Sequence, residues 1–269
     1  MSKFYELLTK IINRTKEFGY YTNLLDNSYF INPVNQDENT GFFEVTDNHP
    51  IRLLDRWYLT EGSANIEEGG IRLNGTMTQR VNTERSVHHY TNLVACAGFS
   101  DIEGDYLLDD IASYDRDTMV FTIATSESTF IEWVALYEGD IAPSHMPTYK
   151  PKEYPAELVA CYRYRWRAKG YTTLYGYATN STTAYLYINL PYEIKRNCIP
   201  LVKLTGATFT IRTTDGETHK EATITDTSPT VMGNIIRFSV SKEGLNLTSG
   251  NVVVATVSSS DGVLEVICE

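Results

Sequence analysis

YKPKEYPAELVACYRYRWRAK, residues 149–169, is the clearest helical pattern between two long regions that read as β-structure. Pro143, Pro147, Pro151 and Pro155 punctuate the approach to it. Prolines at that spacing stiffen a linker and keep it extended, which predicts a joint that restricts how two domains sit. Glu157 to Lys169 then supports a short helix, with Leu158, Cys161, Tyr162 and Arg165 on one side. Arg163, Arg165, Arg167 and Lys169 crowd its C-terminal end, where cations suit the helix macrodipole. A change from helix to strand anywhere after Tyr162 fits the residues equally. The flanking domains carry the negative excess of the protein. Arg163 and Arg165 are therefore expected to make inter-domain or inter-subunit contacts with Asp or Glu.

Upstream, residues 23–142 read as short strands between turn residues. Candidates are 42–46, 51–59, 70–73, 77–81, 90–96, 106–113, 118–125 and 130–138, with turns at GG, DNHP and NG. About eight such strands predict a two-sheet sandwich of jelly-roll type. Residues 1–22 read as a coiled-coil-like helix. Phe4, Leu8, Ile11, Thr15 and Phe18 fall at alternating spacings of four and three and form a narrow seam. A helix about 25 Å long is marginal alone in water, so it must dock on its own β-domain, on copies of itself or on another protein. Self-association or anchoring is the preferred expectation.

Downstream of the 143–169 linker and helix, residues 170–269 return to β-structure and predict a second antiparallel sandwich. Two runs, 171–178 and 183–190, flank the polar turn ATNSTT and form a hairpin. Its Leu186 and Ile188 face one way, Tyr185 and Tyr187 the other. With Tyr177 opposite Tyr185, Tyr175 lies opposite Tyr187, which makes a four-tyrosine ladder on the face away from Leu186. Nineteen tyrosines against three tryptophans is a high ratio. A rigid ring with a polar tip suits wet binding surfaces and subunit interfaces alike, and β-rich chains also favour tyrosine in strands. The ladder is thus either a ligand platform or a subunit interface.

A net charge of -11 and a pI near 5.0 argue against nucleic-acid binding, which needs clustered Lys and Arg. No run of about 18 apolar residues occurs, so no membrane insertion is expected, and the charged N-terminus is no signal peptide. Cys96, Cys161, Cys198 and Cys268 are widely spaced, without CxxC or a nearby His. They read as unpaired buried thiols, which points to synthesis in a reducing compartment. No metal and no cofactor is expected. Adjacent His88 and His89 would point to opposite faces of a strand. The carboxylates Asp101, Glu103, Asp105, Asp109 and Asp110 do not follow the order of an EF-hand loop. Ser239 and Lys242 make an SxxK spacing at a strand end, with no helix to build a pocket. No P-loop, GxSxG, HExxH or GxGxxG is present. The chain reads as a non-enzyme.

Several stretches, in order along most of the chain, together resemble a recurrent group of fibre and tail proteins of tailed-bacteriophage virions. They are NLLDNSYFINPVNQ (23–36) with Leu54-Asp55-Arg56-Trp57, then PAELVACYRYRW (155–166), YINLPYEIKRNCIP (187–200) and the terminal LEVICE. Each is short, and their joint order makes them specific. Departures are Tyr162, where the group often has Gln, and Asp37-Glu38, where Arg-Gly is common; they bear on subtype. The resemblance implies a non-enzymatic, usually trimeric structural protein made in the bacterial cytosol and assembled on the virion. It also implies carbohydrate-binding-like sandwiches facing host surface polysaccharide, with residues 1–22 joining the trimer or other virion proteins. A head-decoration protein without a ligand is the alternative expectation, and a polysaccharide depolymerase the third.

Overall fold

The computed structural model describes residues 23–35, 40–47, 49–81, 93–98, 105–107, 111–138, 149–194, 198–213, 218–225 and 229–268. The expected N-terminal helix with Phe4, Leu8, Ile11, Thr15 and Phe18, the His88-His89 pair and most of the 101–110 carboxylate cluster lie outside the described residues. The protein is all-β apart from one described helix, and it divides into two compact units. One comprises residues 1–31 and 40–151, the other 32–39 and 152–269. The second therefore recruits a short early segment, Asn32–Asn39, that the sequence pattern assigns to the first.

In the first unit, β1 (Gly41–Glu44), β2 (Ile51–Leu54), β3 (Trp57–Glu67), β4 (Gly70–Arg80), β7 (Ala112–Asp115) and β8 (Val120–Ile131) build one sheet. Its order is β1-β3-β4-β8-β7, with β2 also on β3. A smaller sheet, β6-β5-β9, joins β5 (Leu93–Gly98), β6 (Asp105–Leu107) and β9 (Trp133–Glu138). Leu59, Leu73, Met77, Phe121 and Ile123 from the larger sheet share one apolar core with Val134 and Leu136 from the smaller. The NG at 74–75 is not a turn. β3 and β4 run straight through it as partners, and Gly62 pairs with Gly75. A side chain at either glycine would strike the backbone of the other strand.

The run 51–59 is likewise not one strand. It folds back at Asp55-Arg56, where Arg56 takes φ 76°, so that β2 pairs with β3. The turn takes part in a buried polar knot with Asp26 and Asn27. Arg56 Nε lies 3.4 Å from Asp26 Oδ2, both side chains being almost fully enclosed. Gln79 Nε2 donates to the Asp26 carbonyl and Gln79 Oε1 accepts from the Asp26 N–H, each at 2.7 Å. Trp57 Nε1 donates to the Asn27 carbonyl at 2.9 Å. A buried backbone group without a partner costs more than a bond gains. The knot satisfies the middle of an irregular segment whose ends bond to β9, through the Leu24 N–H to the Leu136 carbonyl and the Val134 N–H to the Ser28 carbonyl.

The opening stretch resolves into three pieces. Tyr149 stacks on Trp133, with ring centroids 4.2 Å apart and planes 2° apart. α1 then spans Tyr154–Tyr162, with proline in its first turn. Its buried residues are Glu157, Ala160 and Cys161, so the predicted stripe through Leu158 and Arg165 is shifted. Glu157 lies 4.0 Å from Lys152. From Arg165 the chain is a strand, β10 (Arg165–Lys169), rather than the end of a helix. The Cys268 N–H donates to the Tyr164 carbonyl at 2.7 Å and starts the pairing of β10 with β19 (Val263–Ile267).

β10, β19 and β13 (Leu201–Thr205) form a three-stranded sheet. A second sheet contains β11 (Thr173–Ala178), β12 (Thr183–Asn189), β14 (Phe209–Thr213), β15 (Thr218–Ile224), β16 (Thr230–Met232), β17 (Ile235–Ser241) and β18 (Val252–Val257). Its order is β12-β11-β18-β14-β15-β17-β16, and β12 also pairs with β17. That extra pairing joins six strands into a closed ring where the strand pattern predicts a second sandwich, and closure removes the free edges of those six strands. Leu186, Ile188, Phe209, Ile211, Phe238 and Val253 belong to its buried core. Phe209 and Phe238 have centroids 6.1 Å apart.

Two further expectations are corrected here. Cys198 and Cys268 form a disulfide with Cα atoms 5.7 Å apart, whereas the spacing argument reads both as unpaired. Adjacent strands β13 and β19 bring them together across 70 residues. Cys161 is a buried thiol, as expected. Arg165 does meet a carboxylate, but in its own unit: its Nε donates to Glu265 Oε1 at 3.1 Å. Arg167 Nε stands 4.0 Å from the same oxygen. Arg163 caps the C-terminal end of α1 and is half-buried.

Candidate functional site

The second unit carries the clearest candidate surface. β11 and β12 pair in antiparallel register with Tyr175 opposite Tyr187 and Tyr177 opposite Tyr185, the register that the sequence pattern predicts. Leu174, Ala178, Ala184, Leu186 and Ile188, at the alternating positions, are buried. The four tyrosines occupy the other face, because a strand sends successive side chains to opposite sides. Tyr175 is 64% exposed, and the remaining three are half-buried.

The rings order one another. Tyr177 meets Tyr185 edge to face at 5.7 Å and 77°, and lies 6.2 Å from Tyr187 at 33°. Both distances fall where aromatic quadrupoles attract. Gly176, between two of the tyrosines, sets the backbone spacing. A Cβ there would run into the Tyr185 carbonyl oxygen, 2.8 Å from its carbon and 3.0 Å from Leu186 Cα. Burial and the adjacent Tyr177 hydroxyl hold the Tyr187 phenol above its usual range near 10.0, so it stays a neutral donor at ordinary pH.

The strand pairings extend the ladder in both directions. On one side Tyr175 lies opposite Val254 and Tyr177 opposite Val252. On the other, Tyr187 lies opposite Arg237 and Tyr185 opposite Ser239. Arg237 places its guanidinium carbon 4.6 Å from the Tyr185 ring centroid and donates to Thr230 Oγ1 at 2.9 Å. A cation over the negative ring face is attracted to it. Arg237 is thereby tied into the row.

Alongside the ladder runs an open cleft of about 550 Å³. Trp166, Tyr175, Tyr177, Tyr187, Asn189 and Val252 are among its walls. Aromatic and aliphatic walls with a few polar groups are the kind of lining common in clefts that take small, partly apolar molecules. Three of the predicted tyrosines thus share one cleft, and Tyr185 stands behind them beneath Arg237. Trp166, Asn189 and Val252 in the cleft, and Arg237 over the Tyr185 ring, are residues that sequence reasoning did not find. Arg163 and Arg165 do not line it, and Phe4, Leu8, Ile11, Thr15 and Phe18 lie outside the described residues.

Among the described residues no group of three or more His, Cys, Asp or Glu is placed to hold a metal ion. No described helix is long and apolar enough to cross a membrane. The fold and the cleft together define an all-β protein with an outward aromatic row on one of its two units. No family model, curated protein or solved structure matches the chain.

Proposed function

We propose that this chain is a non-enzymatic structural protein of a tailed-bacteriophage virion, a trimeric fibre or appendage whose second unit holds host-surface glycan on the tyrosine ladder. The observation that carries the proposal is the cleft lined by Trp166, Tyr175, Tyr177 and Tyr187. Sugar rings present flat C–H faces bordered by hydroxyls. Aromatic rings receive the faces, while phenol, amide and hydroxyl groups such as those of Tyr187, Asn189 and Thr173 receive the borders. The sequence resemblance supplies the virion context. In this reading the first unit is a jelly-roll-like, carbohydrate-binding-like sandwich. Residues 1–22 form the coiled-coil-like helix that trimerises or anchors to other virion proteins during assembly in the host cytoplasm.

A second reading has its own observation. Tyr171, Tyr175 and Val252, which lies opposite Tyr177, are 67%, 64% and 52% exposed, and exposed apolar surface of this kind also suits a contact between subunits. The double variant Tyr175→Ala/Tyr187→Ala separates the two, read by native mass and by adsorption to host cells. The glycan role predicts unchanged oligomer mass with lost adsorption. Loss of the oligomer with no separate adsorption defect would instead make the ladder a subunit interface, and the chain a head-decoration protein without a ligand of its own.

A further inference from the structure

We propose that Arg237 makes the ladder selective for acidic saccharides, those carrying a carboxylate or an equivalent anionic group on the ring. The inference rests on the glycan reading above and goes beyond it in naming the ligand's charge. Three observations carry it. Arg237 lies directly across the strand pair from Tyr187, a wall of the cleft. It is held in place by the face of Tyr185 and by Thr230 Oγ1, so little side-chain freedom remains to be lost on binding. It forms no ion pair with any described residue, although the chain carries 34 acidic residues against 23 basic ones.

The other well-placed arginines have found carboxylates: Arg56 with Asp26, Arg72 with Glu67, Arg165 with Glu265. In a protein of net charge -11, a fixed guanidinium beside an aromatic cleft with no carboxylate of its own offers its fork to an anion from outside. The planar fork also explains why this position suits arginine. It can lie over the Tyr185 ring with its face while its edge still donates to a carboxylate. Arg212 extends the same cross-strand row beyond Val254. Neither arginine lines the cleft itself, but Val254 separates Arg212 from the tyrosines whereas Arg237 adjoins Tyr187, so Arg212 serves as a control.

The test uses the full-length protein and an array of matched oligosaccharides, each printed as a uronic-acid form and as its neutral, carboxyl-reduced form. The acidic member of a bound pair is expected to be held on the order of tenfold more tightly, with the difference shrinking as salt rises. Arg237→Gln should bring the acidic form down to the level of the neutral one and leave the neutral form unchanged. Arg237→Lys should recover part of the preference, and Arg212→Gln should leave it intact. Equal binding of both forms by the unaltered protein would overturn the charge assignment and leave the glycan reading standing. So would a preference that survives Arg237→Gln. Binding to no saccharide at all would overturn both. Loss of neutral binding in Arg237→Gln, alongside loss of the Tyr185 ring contact, would assign the arginine to holding the ladder together and would also refute the proposal.

Discussion

Replacing Gly176 with alanine adds a single methyl group and tests whether β11 and β12 meet at backbone contact beneath the ladder. The new carbon would collide with the Tyr185 carbonyl, 2.8 Å from its carbon, and would lie 3.0 Å from Leu186 Cα. Both are main-chain atoms, so no rotamer can relieve the overlap. Non-bonded carbons prefer about 3.5–4.0 Å, so β12 must retreat by nearly an ångström. That stretches the pairing of Tyr175 with Tyr187 and Tyr177 with Tyr185. Overpacking costs about 1–3 kcal/mol, and two weakened ladder hydrogen bonds add about 1 kcal/mol each. The sum, about 3–5 kcal/mol, corresponds to a fall in Tm of roughly 10–20 °C for a unit of this size. 5-Fluorotryptophan NMR gives the assay, because Trp166 is the only one of the three tryptophans in the second unit. Its resonance should lose its folded position early on heating. Thr173→Ala, an exposed change on the same strand, should stay within about 0.5 kcal/mol. A Gly176→Ala protein that melts within 2 °C of the parent would refute the close approach.

Three other outcomes follow from the packing. Gln79→Leu strips two buried 2.7 Å bonds from the Asp26 backbone, and urea unfolding should show the first unit weakened by about 3–5 kcal/mol; a change below 1 kcal/mol would mean the knot is not structural. Arg165→Met leaves the Glu265 carboxylate enclosed with only Arg167, 4.0 Å away, to answer it. It should cost about 3 kcal/mol, and Arg165→Met/Glu265→Leu should recover most of that in a double-mutant cycle. Tyr187 ionises at higher pH in the folded state than in the unfolded chain. Its contribution is therefore complete below pH 10 and lost as pH rises through the folded value, since the unfolded phenol gives up its proton first. Tyr187→Phe should flatten that alkaline decline in stability, and an unchanged decline would show that another group drives it.

The tyrosine register was legible because a hairpin with strict alternation admits few alignments once one face is apolar. Leu186 and Ile188 fix which way Tyr185 and Tyr187 point, and the ATNSTT turn fixes the partner. Trp166 was not legible, for a reason visible in its neighbours. Arg163, Arg165, Arg167 and Lys169 recur at every second position, which is the period of a strand. As a basic cluster following a helix they also match the charge bias of a helix end. Only the pairing with β19, 100 residues away, decides for the strand and turns Trp166 towards the cleft. The Cys198–Cys268 bond is of the same kind, since its Cα distance exists only once β13 and β19 are neighbours. The Arg56 turn hid a buried charge because its partner, Asp26, lies in a segment without regular structure. Arg237 escaped notice because its strand, Ile235–Ser241, meets the tyrosines only through the closing β12–β17 pair.

The claim that the ladder holds sugar is tested most directly by saturation-transfer NMR on the full-length protein mixed with host surface polysaccharide, irradiating the tyrosine ring protons. Transfer to the saccharide protons is predicted, strong for the parent and absent for Tyr175→Ala/Tyr187→Ala with its oligomer mass intact. Transfer that persists undiminished in that variant, or none in the parent, would contradict the account.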